Sequence, residues 1–138
     1  MTAPRRIEAL EQEAGDLLKK LGYEPVIVSS FVRTCRYVAF HLTAHKKLDD
    51  GSVDSMMVKL KVSLHPIETL TEAAEFCREE IASMEKFFAQ SSQEKIDGRF
   101  EVWISLPLNG FQHFEITRDG IREIRSPAER PGFPGGLP

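Results

Sequence analysis

The residues with the clearest chemical potential are two lysines, Lys59 and Lys61, which are separated by one residue. Apolar and polar residues alternate from Ser55 to Ser63, which predicts a β-strand with both lysines on one face. Lysines are rarely buried in a protein core. They therefore indicate either a basic spot that binds a phosphate group, with Arg36 and His41 on the neighbouring strand, or a solvated face over which the lysine stems extend.

The histidines and cysteines do not predict a metal centre. His41 and His45 are four residues apart on a predicted strand, so their Cα atoms should be about 13 Å apart, too far to share one ion. Cys35 and Cys77 belong to no CxxC pair and lie within apolar patterns, which predicts two buried free thiols. The sequence also lacks the GxxxxGK[ST], GxGxxG, GxSxG and HExxH motifs.

The elements that position these residues follow from hydrophobic spacing. Apolar residues recur at steps of three and four from Ile7 to Leu21, which predicts an amphipathic helix. Three strands are predicted next, at residues 23–30, 34–44 and 55–63. A long helix with one apolar stripe is then predicted from Pro66 to about Gln90.

The remaining elements complete an α+β (α/β) pattern. Alternation predicts strands at residues 99–106 and 111–117, followed by a turn before Ile121–Ile124. The predicted order is helix, three-strand meander, long helix and two further strands, which favours a mixed central sheet flanked by helices. Residues 1–125 are expected to form one domain. Residues 126–138 are rich in proline and glycine and are expected to be a disordered tail.

Composition restricts the function classes. The chain has 138 residues, 41% of them hydrophobic and 28% charged, which is typical of one globular domain. Its formal net charge of −3 is unusual for a protein that coats duplex nucleic acid, so nucleic-acid binding would need a local basic patch. No apolar run is long enough for a membrane span and no targeting segment is evident, so a cytoplasmic protein that does not bind membranes is expected.

The element order resembles that of the PD-(D/E)XK nuclease-like superfamily, and in particular its archaeal Holliday-junction-resolvase and restriction-endonuclease-like domains. The resemblance covers residues 7–125. Residues 10–23 resemble the family's first helix and its exit, residues 57–62 resemble its apolar-Glu-x-Lys-apolar strand, and residues 111–124 resemble its closing strands. It implies a restriction-endonuclease-like fold, with a site formed by a helical glutamate, an aspartate on the second strand and Glu-x-Lys on the third.

This sequence departs from the family pattern at the metal ligands. The resemblance places Lys61 at the lysine position but Lys59 at the glutamate position, and residues 36–39 contain no acid where the aspartate should be. The family's carboxylates bind Mg²⁺, which activates water. Because a lysine would repel the cation, the pattern predicts a non-catalytic domain without a cofactor, which binds nucleic acid or a protein partner through its basic face.

A metal-dependent endonuclease is the first alternative, with Lys61 as a catalytic residue and Mg²⁺ as cofactor. It requires carboxylates that have moved onto the helices. The candidates are Glu11, Glu13, Glu68, Glu72 and Glu75. The hairpin aspartates Asp49, Asp50 and Asp54 are expected to be ordinary turn residues.

A homodimeric protein-interaction or chaperone-like module is the second alternative. It is suggested by the acidic composition and by the aromatic residues of the later segments, most of which are expected to lie in the core. These residues are Phe87, Phe88, Phe100, Trp103, Phe111 and Phe114.

Overall fold

A computed structural model describes residues 7–28, 40–90, 98–108, 110–126 and 129–130. The helices are α1 (Ile7–Lys20), α2 (Leu70–Phe76) and α3 (Arg78–Gln90). The strands are β1 (Glu24–Ile27), β2 (Leu42–Lys47), β3 (Val53–Val62), β4 (Arg99–Leu106), β5 (Gly110–Thr117) and β6 (Gly120–Ile124). No helix in these ranges is long and apolar enough to cross a membrane.

The six strands form one sheet in chain order, β1-β2-β3-β4-β5-β6. All neighbours are antiparallel except β3 and β4, which run parallel. A parallel pair needs a long crossover connection, and here α2 and α3 lie within that connection. The predicted α+β class, with a mixed sheet flanked by helices, is therefore confirmed.

Side chains of a strand alternate between the two faces of the sheet. One face packs against α1 and the other against α2 and α3, so each face contributes to its own apolar cluster. On β3, Met56, Val58 and Leu60 pack in the cluster that contains the buried face of α1. Met57 packs against the opposite cluster, with residues of α3. Lys59 and Lys61 follow Met57 at two-residue steps, so they share its face and lie on the side of α2 and α3.

The aromatic residues named above belong to these two cores. Phe88, Phe100, Trp103 and Phe114 are buried, whereas Phe87 and Phe111 are partly buried against the clusters. They therefore stabilise the fold.

The predicted long helix is in fact two helices. Thr69 caps the first one, its Oγ1 accepting a hydrogen bond from the N–H of Glu72 at 3.1 Å, so the helix begins later than Pro66. At Cys77 the backbone leaves the regular helical conformation, with φ −104° and ψ 20°, which separates α2 from α3. The buried, unbridged thiol of Cys77 agrees with its prediction, while Cys35 lies outside the described residues.

Two strand predictions also needed correction. The second strand, expected at residues 34–44, runs instead from Leu42 to Lys47, and residues 29–39 lie outside the described ranges. A third strand, β6, follows the two predicted late strands. Gly120 has a φ of 130°, which glycine adopts readily, and this turn lets β6 pair antiparallel with β5.

Candidate functional site

Lys61 is held by contacts within the domain. Its Nζ donates hydrogen bonds to the carbonyl oxygen of Phe76 at 2.8 Å and to Oε1 of Glu80 at 2.9 Å. The ammonium also lies 4.9 Å from the centroid of the Phe76 ring. The last carbonyl groups of a helix lack partners within the helix. Lys61 donates to one of them, at the end of α2, and its bond to Glu80 connects α2 to α3.

Lys59 lies on the same sheet face but is arranged differently. Its side chain is half-buried, and it makes no hydrogen bond or ion pair with another residue of the described ranges. Among the described residues, the charge of Lys61 therefore has hydrogen-bonding partners and the charge of Lys59 has none.

His41 lies beside Lys59 and provides a neutral donor. Its Nδ1 accepts a hydrogen bond from the N–H of Leu60 at 2.9 Å, so the ring proton of the neutral imidazole must be on Nε2. Burial, and next the positive charge of Lys59, lower the pKa of His41 to about 4. At neutral pH the pair therefore presents one ammonium and one uncharged N–H donor.

The other residues singled out in the sequence do not form a cluster with this pair in the described part of the chain. Arg36 lies outside the described residues. Glu11 is buried on α1, Glu13 is partly buried on the same helix, and Glu72 is exposed in the first turn of α2. The carboxylate that reaches Lys61 belongs instead to Glu80 on α3. Within the described ranges, no group of three or more His, Cys, Asp or Glu side chains could hold a metal ion.

A buried ion network on the opposite face of the sheet was not anticipated. Glu101, at the centre of the sheet on β4, is 0% exposed. Its Oε2 lies 2.6 Å from Nη1 of Arg130 and 2.9 Å from Nη1 of Arg99. Its Oε1 accepts a hydrogen bond from the indole N–H of Trp103 at 2.9 Å. These contacts offset the free-energy cost of burying the carboxylate of Glu101.

The network continues to the start of β3. Arg99 donates to both oxygens of Asp54, through Nη2 at 2.9 Å and Nε at 3.2 Å, and the hydroxyl of Tyr23 donates to the same carboxylate. Burial and the hydrogen bond to Asp54 raise the pKa of Tyr23. The expectation that Asp54 is a turn residue was wrong, because β3 begins at Val53 and directs Asp54 towards Arg99.

Sequence reasoning overlooked this network for two reasons. Alternation predicted a strand at residues 99–106 but not its place in the sheet, and β4 is central and covered on both sides. Arg130 belongs to the segment expected to be a disordered tail, but its guanidinium packs against Glu101. A signal was available, since Glu101 and Ser105 are the only polar residues from 100 to 106, a pattern typical of a strand buried on both faces.

No family model matches the chain, and no curated protein matches it. Among solved structures, the chain is similar to Hjc of Archaeoglobus fulgidus, a Holliday junction resolvase from an archaeal hyperthermophile. The two share 12% identity over 86% of this chain and 88% of that one, with a TM-score of 0.46.

Proposed function

We propose that this is a non-catalytic nuclease-fold domain that binds nucleic acid through a phosphate contact at Lys59. The observation that carries the proposal is the half-buried side chain of Lys59, whose ammonium has no carboxylate partner among the described residues. Partial burial removes hydration from the charge, and a phosphate oxygen replaces that hydration with a charge-assisted hydrogen bond.

His41 adds a second donor to the proposed phosphate contact. Its Nε2–H lies on an imidazole that stays neutral at physiological pH, so it donates a hydrogen bond without adding charge. Lys61 contributes little to this contact because Phe76 and Glu80 already occupy its ammonium. Binding therefore depends on Lys59 rather than on the lysine pair, and it requires no metal ion.

Fluorescence anisotropy with labelled single- and double-stranded oligonucleotides, in Mg²⁺ and in EDTA, tests this function. Lys59→Ala should weaken binding roughly tenfold, and it should reduce the slope of log affinity against log salt by about 0.7–0.9. Lys47→Ala is the matched control, since it removes the same charge from an exposed position where β2 pairs with the start of β3. Equal effects of the two substitutions, or binding seen only with Mg²⁺, would contradict the proposal.

A metal-dependent endonuclease is the second candidate, because Glu80 places a carboxylate against Lys61. A migrated glutamate of this kind is what that alternative requires, although Glu80 is not one of the glutamates that were predicted. Incubation of the protein with Mg²⁺ or Mn²⁺ and single-stranded, duplex and branched substrates tests it. Cleavage that disappears in Glu80→Gln would support the enzyme, and absence of cleavage by the parent protein would eliminate it.

A further inference from the structure

A cavity of about 230 Å³ lies between the end of α1 and the segment that follows β6. Leu17, Leu21 and Phe111 contribute apolar surface, and His113, Arg125 and Arg130 contribute nitrogen donors. None of the described residues that line it carries a carboxylate. It lies on the α1 side of the sheet, because Phe111 packs against the cluster of that side. Lys59 lies on the other side.

The size of the cavity limits its occupant to a small molecule. An apolar cavity of about 150 Å³ is sufficient to hold benzene. A cavity of 230 Å³ can therefore hold a six-membered ring together with one small charged group.

The polar side of the cavity is preorganised by Arg130. This arginine is 5% exposed; its Nη1 binds Glu101 and its Nη2 lies 3.4 Å from Nδ1 of His113. Arginine only donates hydrogen bonds, so Nδ1 is the acceptor and the proton of His113 is on Nε2. Burial, and next the charge of Arg130, lower the pKa of His113 to about 4, which keeps the ring neutral.

Arg125 completes the set of donors at the surface. Its Nε contacts Glu123 at 3.2 Å in an exposed ion pair, which is a weak interaction. The other two nitrogens of its guanidinium group, Nη1 and Nη2, match a carboxylate in geometry and charge.

We propose that this cavity binds a small organic anion, a carboxylate carried on an apolar ring or short chain. Its carboxylate accepts hydrogen bonds from Arg130 and Arg125, and its apolar body packs against Leu17, Leu21 and Phe111. The site lies on the opposite face of the sheet from Lys59, so it is independent of nucleic-acid binding.

Trp103 provides the readout for a binding experiment. It is the single tryptophan of the chain, it is buried, and its ring centroid lies 4.3 Å from that of His113 and 5.6 Å from that of Phe111. Titration of the full chain with benzoate, followed by tryptophan fluorescence, should give a saturable change. Benzamide has the same ring without the charge, and it should bind at least tenfold more weakly.

Substitutions then locate the site. Arg125→Gln should weaken benzoate binding about fivefold, whereas Arg78→Gln, which removes an equally exposed arginine from α3, should leave it unchanged. Leu21→Phe should abolish binding by filling the cavity, while circular dichroism shows that the fold is retained. The proposal is overturned if benzoate gives no saturable change, if benzoate and benzamide bind equally, or if the two arginine substitutions have equal effects.

Discussion

Nη1 of Arg130 lies 2.6 Å from Oε2 of Glu101, and the two side chains are only 3% and 0% exposed. This ion pair attaches the segment after the last strand to the centre of the sheet. Arg99 contacts the same carboxylate and connects it to Asp54. The charges of Glu101 and Asp54 outweigh the effect of burial on Arg99 and raise its pKa. Arg99 therefore keeps its positive charge at neutral pH.

Loss of Arg130 should destabilise the domain strongly. Arg130→Ala removes one of the two cations that neutralise buried Glu101, and breaking a buried pair costs about 3 kcal/mol or more. Urea denaturation should show this decrease in the free energy of unfolding. Arg125→Ala, which breaks only an exposed pair, should cost less than about 1 kcal/mol. A similar cost for both substitutions would show that Arg130 does not hold the segment.

Substitution of Lys61 should destabilise the domain more than substitution of Lys59. Lys61→Ala leaves Phe76 O and the buried carboxylate of Glu80 without their partner, so we expect a loss of about 2 kcal/mol. Lys59→Ala breaks no hydrogen bond or ion pair with a described residue, and its cost should stay within about 0.5 kcal/mol. Thermal denaturation of both variants measures the difference. Equal destabilisation would contradict the assignment of Lys61 to structure and Lys59 to binding.

Stability should decrease as the pH falls from about 6.5 to about 4, in part because of His113. Its folded-state pKa is about 4 and its ordinary value is 6.5, so the unfolded chain takes up a proton in this window that the folded domain does not. The loss attributable to this histidine is up to about 1.4 kcal/mol per pH unit. His41 acts in the same direction.

The difference between the parent and His113→Gln isolates this contribution. The curve of unfolding free energy against pH should be flatter for His113→Gln between these limits, whereas substitution of the exposed His65 by Gln should preserve the slope of the parent. Parallel curves for the parent and His113→Gln would refute the assignment.

Cys77 should be chemically unreactive in the folded domain. Burial, which is the largest effect, raises the pKa of its thiol to about 11. At pH 8 the thiolate fraction is then roughly a hundredfold below that of a thiol with a pKa of 9. In a Cys35→Ser background, iodoacetamide should label the protein at least a hundredfold more slowly in buffer than in urea. Comparable rates would show that Cys77 is accessible.

Hydrophobic spacing was sufficient to predict α1, β3, β4 and β5. Apolar residues at three- and four-residue steps identified α1 as a helix from Ile7, and strict alternation identified β3, β4 and β5 within two residues of their observed ends. These signals are local, because the period of a helix or strand is set by the backbone itself. The α+β class follows from the order of these elements.

The partners of the charged residues depended on the tertiary structure. Lys61 and Glu80 are 19 residues apart, Glu101 and Arg130 are 29 apart, and Asp54 and Arg99 are 45 apart. No periodic pattern connects such positions. They meet because β3 pairs with β4 in parallel, and because the chain after β6 returns to the α1 side of the sheet.

The sequence by itself therefore determined α1 and three of the strands, β3, β4 and β5, and drew attention to two lysines. The tertiary structure decided their contacts: Lys61 binds Phe76 O and Glu80, whereas Lys59 makes no hydrogen bond or ion pair with a described residue. It also buried Glu101 in a central strand that is covered on both sides. The reason is physical: burial of apolar residues follows local periodicity, whereas the environment of a charge depends on every element packed around it.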